Sequence, residues 1–456
     1  MKRRARWEGV FFVFAIGCTG NGLALNGNTK PDGLSPSIAG DGSTQIEATD
    51  LFAATALDSS INSGLNSDLA QSSSDGAIDG GTFADLAPPS EPSFATPVSY
   101  DVGNYPGAIV IGDITGDGKL DLVVDQPSSG QFTVLVGVGD GSFDLPTTTM
   151  VSGLNGIVGA DVNGDSKMDL VVEGSTSTSQ ATTSVVELFH SKGDGTFFAP
   201  TSYLSCIDMG NGCDAGGDPG AIGVWDLNGD GRPDVAVSQS DFNGESTANA
   251  SVLLGQANGL FTTMGPYRAT GNAPTSPIST AIASGDFNGD HHADLVFADG
   301  KSAIDIVLGN GDGTFAAPTS VTGSVLPPSV LAAGDFDNDG KIDLISGNTS
   351  VYLSRGKNDG TFGTFELLLA NTNSGLKSLA VGDFNSDGKL DVAVPNDGAG
   401  TVTILIGHDN GTFTSVIVTI GNQPTYVSIG DMNSDDHPDL VVTDTESLHV
   451  LLNTTL

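Results

Sequence analysis

One acidic phrase, Asp-x-Asn/Asp-x-Asp-Gly-x-x-Asp, returns seven times in this chain, and a sequence that repeats itself at near-fixed spacing folds as an array of like units. Its first aspartates are Asp113, Asp161, Asp226, Asp286, Asp335, Asp383 and Asp431, separated by 48, 65, 60, 49, 48 and 48 residues. A period near 48 suits a β-propeller blade of four short strands. Around the fifth copy, Ser329 to Gly334 reads as an apolar strand entering the phrase, Leu344-Ile345-Ser346 as a strand leaving it, and Ser350 to Leu353 as a third. A Gly-rich turn, Lys357-Asn358-Asp359-Gly360, then leads into a fourth strand starting Thr361-Phe362. Related turns stand at Asp140-Gly141-Ser142-Phe143, Asp194-Gly195-Thr196-Phe197, Asp312-Gly313-Thr314-Phe315 and Asn410-Gly411-Thr412-Phe413. Asp-Gly and Asn-Gly supply the positive φ of a tight hairpin, and the Phe re-enters the core. No helical period appears in the repeats, so the fold class is all-β.

The two ends of the repeat region predict ring closure. The seventh unit stops after a third strand at Leu448 to Leu452 and has no Gly-Thr-Phe strand of its own. The first unit is preceded by a surplus one, Ser93-Phe94-Ala95-Thr96-Pro97, which matches Thr314-Phe315-Ala316-Ala317-Pro318. The N-terminal strand is therefore expected to complete the last of seven four-stranded antiparallel blades, which removes the open edges of the array.

The phrase has the chemistry of a calcium loop. Calcium takes six to eight hard oxygen ligands. Side chains at positions 1, 3 and 5 of a tight turn converge, position 7 adds a backbone carbonyl, and position 9 adds a carboxylate that can bind through both oxygens. In chain order the expected ligands are Asp113, Thr115, Asp117, Lys119 and Asp121; then Asp161, Asn163, Asp165, Lys167 and Asp169. The third and fourth sets are Asp226, Asn228, Asp230, Arg232 and Asp234, and Asp286, Asn288, Asp290, His292 and Asp294. The fifth set is Asp335, Asp337, Asp339, Lys341 and Asp343, and the sixth Asp383, Asn385, Asp387, Lys389 and Asp391. The seventh is Asp431, Asn433, Asp435, His437 and Asp439. Lys, Arg and His appear here for their backbone carbonyls alone. Position 6 needs positive φ, which Gly118, Gly231, Gly340 and Gly388 meet at least cost, His291 and Asp436 tolerably and Ser166 poorly. Thr115 at position 3 also weakens the first site, so the loops at Asp335 and Asp383 rank strongest, and those at Asp113 and Asp161 weakest. EF-hand and dockerin readings fail, because those loops sit between helices and carry Glu at position 12.

These residues resemble the FG-GAP repeats of integrin α-subunit propellers, and more closely the bacterial VCBS or FG-GAP repeat proteins of that superfamily. The resemblance covers about 94–456. It implies calcium in the loop joining the first two strands of a blade, with up to seven ions.

The acidity of the chain follows from the same loops. Against 16 Lys+Arg stand 55 Asp+Glu, a formal charge of −39. Side-chain ligands of the seven loops account for 22 of those acids, and seven calcium ions would bring −39 to −25. Such a field repels phosphate, so nucleic acid and anionic membrane surfaces are not expected partners.

Upstream of the repeats the chain reads as an address and a tether. Lys2, Arg3, Arg4 and Arg6 precede an apolar run from Val10 to Ile16, too short to span a bilayer. The run ends Ala15-Ile16-Gly17-Cys18, which resembles a bacterial lipobox with Ala in place of the usual Leu. Residues 1–18 are therefore expected to be a signal peptide with Cys18 acylated, the alternative being an ordinary cleaved signal. Thr19, where Asp would favour inner-membrane retention, points to the outer membrane or cell surface. Residues 19–92 are rich in Ser, Asn, Gly, Ala and Asp and read as a disordered acidic tether before a propeller over 93–456. Cys206 and Cys213 remain, seven residues apart in a Gly/Asp-rich loop, and are expected to form a local disulfide in an oxidising compartment.

No catalytic constellation stands out. The six histidines are scattered, and Gly-x-Ser-x-Gly, His-Glu-x-x-His and phosphate-loop motifs are all missing from the sequence. The expected function is a non-catalytic, monomeric binding or adhesion module for an extracellular protein or glycan. A structural spacer or assembly component of the surface is the alternative, and a propeller-type polysaccharide lyase or hydrolase the third. Blades two and three exceed the norm through additions at 175–183, 205–219, 240–250 and near 268–274, all expected on the face away from the calcium loops. Loops on a rigid scaffold often carry function. Trp225 replaces a Gly found just before the loop in five other copies and is read as packing.

Overall fold

The computed structural model describes residues 13–17, 47–51, 91–177, 182–204, 219–239, 249–268, 281–298, 304–321, 328–370 and 375–455. Cys18, Cys206 and Cys213 lie outside the described residues, as do most of the additions to blades two and three. Val13–Gly17, in the expected signal segment, pairs antiparallel with Glu47–Leu51, in the expected tether.

The described residues from Phe94 onward build seven four-stranded antiparallel sheets arranged as a propeller ring. Each sheet is a meander. In blade five the strands are Val330–Gly334, Asp343–Gly347, Val351–Ser354 and Glu366–Leu369, and the acidic loop joins the first two. First strands of adjacent blades touch one another, which places them round the axis, with the fourth strands at the rim. Strands buried on both faces read as short apolar runs rather than alternating ones. Ile109–Gly112 and Asp294–Ala298 are buried at every residue, whereas rim strands such as Thr147–Met150 are mostly exposed.

The closing strand falls where the surplus phrase predicts. Val98–Tyr100 pairs antiparallel with Leu448–Leu451, and Phe94 bridges Asn453. Ala95 N–H donates to the Leu452 carbonyl at 2.8 Å and Thr454 N–H to that of Ser93 at 2.7 Å. Phe94 then packs edge-on against Phe384 of blade six, ring centroids 6.2 Å apart.

The start of the fourth strand differs from expectation. In blade five Phe362 makes only an isolated bridge to Gly356, and the ladder begins at Glu366. Blades one, two and four behave likewise, and there a proline three residues after the Phe (Pro146, Pro200, Pro318) withholds an N–H from the ladder. Blades three and six lack that proline, and their strands run unbroken from Phe261 and Phe413.

Candidate metal centres

Each loop wraps its backbone around the position 1 carboxylate. In the fifth, Asp335 Oδ1 accepts Asp339 N–H at 3.0 Å and Oδ2 accepts Gly340 N–H at 2.8 Å. In the first, Asp113 takes the N–H groups of Gly116, Asp117 and Gly118. This wrapping requires left-handed backbone at position 6, and all seven residues there have φ between 64° (Ser166) and 83° (Gly118 and Gly388). Position 4 is left-handed as well, which the sequence reading missed. Gly116, Gly164, Gly229 and Gly289 fill it in the first four loops, Asn338, Ser386 and Ser434 in the last three. The recurring Gly two residues before position 6 was the signal, masked by its replacement in loops five to seven.

Position 9 is the structural hub. Asp121, Asp169, Asp234, Asp294, Asp343, Asp391 and Asp439 are all fully buried. In six blades Oδ2 accepts the N–H of position 2, at 2.8 Å from Met432 to 3.1 Å from Phe336. In blade two Asp169 Oδ2 instead faces His190 Nδ1 at 2.9 Å. The other oxygen accepts an N–H from the end of the third strand in every blade: Gly137, Ser191, Gly255, Gly309, Gly356, Gly407 and Asn453, at 2.7–2.9 Å. A Cβ on Gly356 would strike the Ile342 carbonyl, so close approach favours glycine there. These third-strand residues are the second element that sequence reasoning missed; a Gly six residues before the rim Phe in five blades was its trace.

Burial is the main cause that pushes the position 9 carboxyls up, with neighbouring loop carboxylates adding and the backbone donors opposing. Asp343, Asp391 and Asp439 rise to about 7, Asp234 and Asp294 to about 6, and Asp121 and Asp169 in the same direction.

The remaining positions are less uniform. Position 5 turns toward the position 7 side chain where that is a cation: Lys167 Nζ lies 2.9 Å from Asp165, Lys119 3.2 Å from Asp117 and Lys389 3.2 Å from Asp387. Arg232 pairs with Asp230, and Lys341 lies 2.5 Å from Asp339. At position 3, Asn228, Asn288, Asn385 and Asn433 donate through Nδ2 to the position 5 carboxylate. Thr115 Oγ1 donates weakly to Asp113 at 3.4 Å, and Asn163 Nδ2 lies 3.3 Å from His190 Nδ1. His292 and His437 join through their backbone N–H to the position 5 carboxylates.

In the fifth loop Asp335, Asp337 and Asp343 each bring a carboxylate oxygen within 4.8 Å of the others. Oxygens bound at about 2.3–2.6 Å to one calcium ion lie at most about 4.6–5.2 Å apart, so this spacing fits ligands of a single ion. Asp337, the one acid found at position 3, also receives Arg355 Nε at 2.9 Å, and the same guanidinium reaches Glu366. The donor set of carboxylate, carboxamide and backbone oxygens is that of a hard divalent cation.

The loops also join blade to blade. The position 2 carbonyl accepts from the following blade: Ser191 Oγ donates to Ile114, Gly360 N–H to Phe287 and Asn453 Nδ2 to Phe384. The rim Phe of a blade packs on the position 2 ring of the previous one, as Phe362 does on Phe287 at 5.3 Å and Phe413 on Phe336 at 6.5 Å.

Compared with known families, residues 226–297, 286–346, 335–394 and 383–442 each match the FG-GAP-like repeat. The four overlapping matches follow the loop period. No curated protein matches the chain.

Proposed function

Because the chain is a β-propeller of FG-GAP-like repeats, a fold that serves as a binding or structural module, we propose that it is a calcium-stiffened, non-catalytic binding module displayed on a bacterial surface. The observation that carries this reading is the carboxylate cluster of Asp335, Asp337 and Asp343 within a loop whose geometry recurs round the ring. Bound calcium would supply positive charge that lets converging carboxylates ionise together and would tie position 1 to position 9 across the turn. The residues that would hold it are the side chains at positions 1, 3, 5 and 9 and the position 7 carbonyl.

Display at the surface rests on the basic and apolar start of the chain and on Cys18, with export consistent with a Cys206–Cys213 bridge. Among the described residues no helix is long and apolar enough to cross a membrane. The ligand class is extracellular protein or glycan.

The test is a paired array of extracellular-matrix proteins and glycans probed with the purified chain, once with millimolar calcium and once with chelator. Specific retention that weakens on chelation is the expected result. Retention nowhere, together with a melting temperature indifferent to calcium, would return the propeller to the role of spacer. Cys18→Ser should move the protein from the membrane fraction to the soluble one; unchanged fractionation removes the lipid anchor.

A further inference from the structure

Tyr105 occupies a backbone site made for glycine. It lies eight residues before Asp113, in the link from the closing strand to the first strand of blade one, with φ of 52°. The same offset before Asp161 and Asp383 is filled by Gly153 (φ 61°) and Gly375 (φ 90°). The other non-glycine residues with positive φ among those described sit in the acidic loops or, for Asn358, in a rim turn, and are Ser, His, Asn or Asp. A bulky side chain in the left-handed region is a true outlier, and strain of that kind marks sites where something other than folding selects the residue. Burial does not offset it, because Tyr105 is 66% exposed.

The surroundings are polar and rigidly held. Tyr105 N–H donates to the Thr445 carbonyl at 3.1 Å, which ties the link to the turn between the second and third strands of blade seven. In that turn Asp444 Oδ1 accepts the N–H groups of Glu446 and Ser447. The Glu446 carboxylate accepts the Asn422 side-chain amide at 3.3 Å, and both groups are exposed. The backbone tie therefore sets exposed Tyr105 against the turn that carries Glu446, itself bonded to Asn422, on the face opposite the acidic loops.

We propose that Tyr105, with Glu446 and Asn422, forms a saccharide-binding site. This rests on the binding-module reading and names its ligand class as neutral glycan. The ring face takes the apolar C–H face of a pyranose, while the carboxylate and amide exchange hydrogen bonds with its hydroxyls. A neutral sugar also suits a chain of net charge −39, which disfavours anionic ligands.

The experiment is affinity electrophoresis of the full chain through gels containing amylose, xylan, soluble cellulose or glycol chitin, with Tyr105→Gly and Tyr105→Phe alongside. Wild type and Tyr105→Phe should be retarded by at least one polymer, and Tyr105→Gly should lose about tenfold or more in affinity. The melting temperature of Tyr105→Gly should be unchanged or raised by up to about 2 °C. Retardation that Tyr105→Gly leaves intact would overturn the site while sparing the binding-module reading. No retardation of wild type by any polymer would overturn the glycan assignment, leaving protein ligands to the array. A melting temperature lowered by several degrees would show that the ring is there for packing.

Discussion

The position 9 aspartates join two demands that pull in opposite directions. Their oxygens must accept buried backbone N–H groups, which favours the carboxylate, while burial penalises its charge. The balance leaves Asp343, Asp391 and Asp439 with carboxyls raised to about 7. For a carboxyl raised above its unfolded value near 3.8, the linked stability is fully present below about pH 4 and is lost as pH climbs through about 7. Protein stripped with chelator should thus lose melting temperature between about pH 5 and pH 8. If calcium occupies the loops as proposed and holds these groups ionised, millimolar calcium should abolish or reverse the slope, and scanning calorimetry at both ends of the range checks it. Replacing the carboxylate is a harsher test. Asp391→Ala strips acceptors from the N–H groups of Phe384 and Gly407 and should cost about 2–4 kcal/mol. At position 4 the sign reverses. Ser434 sits at φ 61°, where glycine is free of the Cβ penalty, so Ser434→Gly should stabilise by up to about 1 kcal/mol, read from urea midpoints.

At the level of strands and loops, blades fit by complementary size. The glycine just before a loop leaves room for the position 8 side chain of the next blade: a Cβ on Gly334 would come within 2.7 Å of Leu390, and one on Gly285 within 2.9 Å of Ile342. Trp225 stands in that glycine position in blade three, buried, and the next blade offers Ala293 where the others carry the larger Leu, Met, Ile or Pro. Ala293→Leu should therefore overpack and cost about 1–3 kcal/mol. Adding Trp225→Gly should recover part of that loss, so a double-mutant cycle gives a coupling of opposite sign to the single cost. The loops themselves can be ranked by the same logic. With calcium, Asp383→Ala should lower the melting temperature more than Asp161→Ala, since Gly388 meets the position 6 demand that Ser166 meets poorly. How much of this was legible depended on where the information lies. The acidic phrase, the rim turns and the surplus strand are written in side-chain identity and spacing, and they sufficed to count blades and close the ring. Position 4 and the third-strand glycines left only faint traces in the sequence, and the partner of Trp225 left none. Each expresses backbone geometry or a contact with another blade, which a single repeat does not contain.

Closure governs the whole molecule. The seam is built from Val98–Tyr100 against Leu448–Leu451, backed by Phe94 on Phe384 and by Ser99 Oγ on His449 Nδ1 at 2.9 Å. A chain starting at residue 86 should keep the cooperative unfolding of the full protein. One starting at residue 101 lacks the closing strand and should melt lower or associate through the exposed edge of blade seven. Thermal unfolding and light scattering of the two decide it, and equal stability of two monomers would falsify the seam's role. The seam also sets a clock. Ser93 meets Thr454 across 361 residues, so the strand that finishes the last blade leaves the ribosome before every other propeller strand and waits for its partner. Blades one to six can pair as they emerge, since their contacts are local, but the ring has no closed state until its final residues are available. Emergence of Leu448–Leu451, rather than of any earlier strand, is then the event that converts a string of blades into a closed ring.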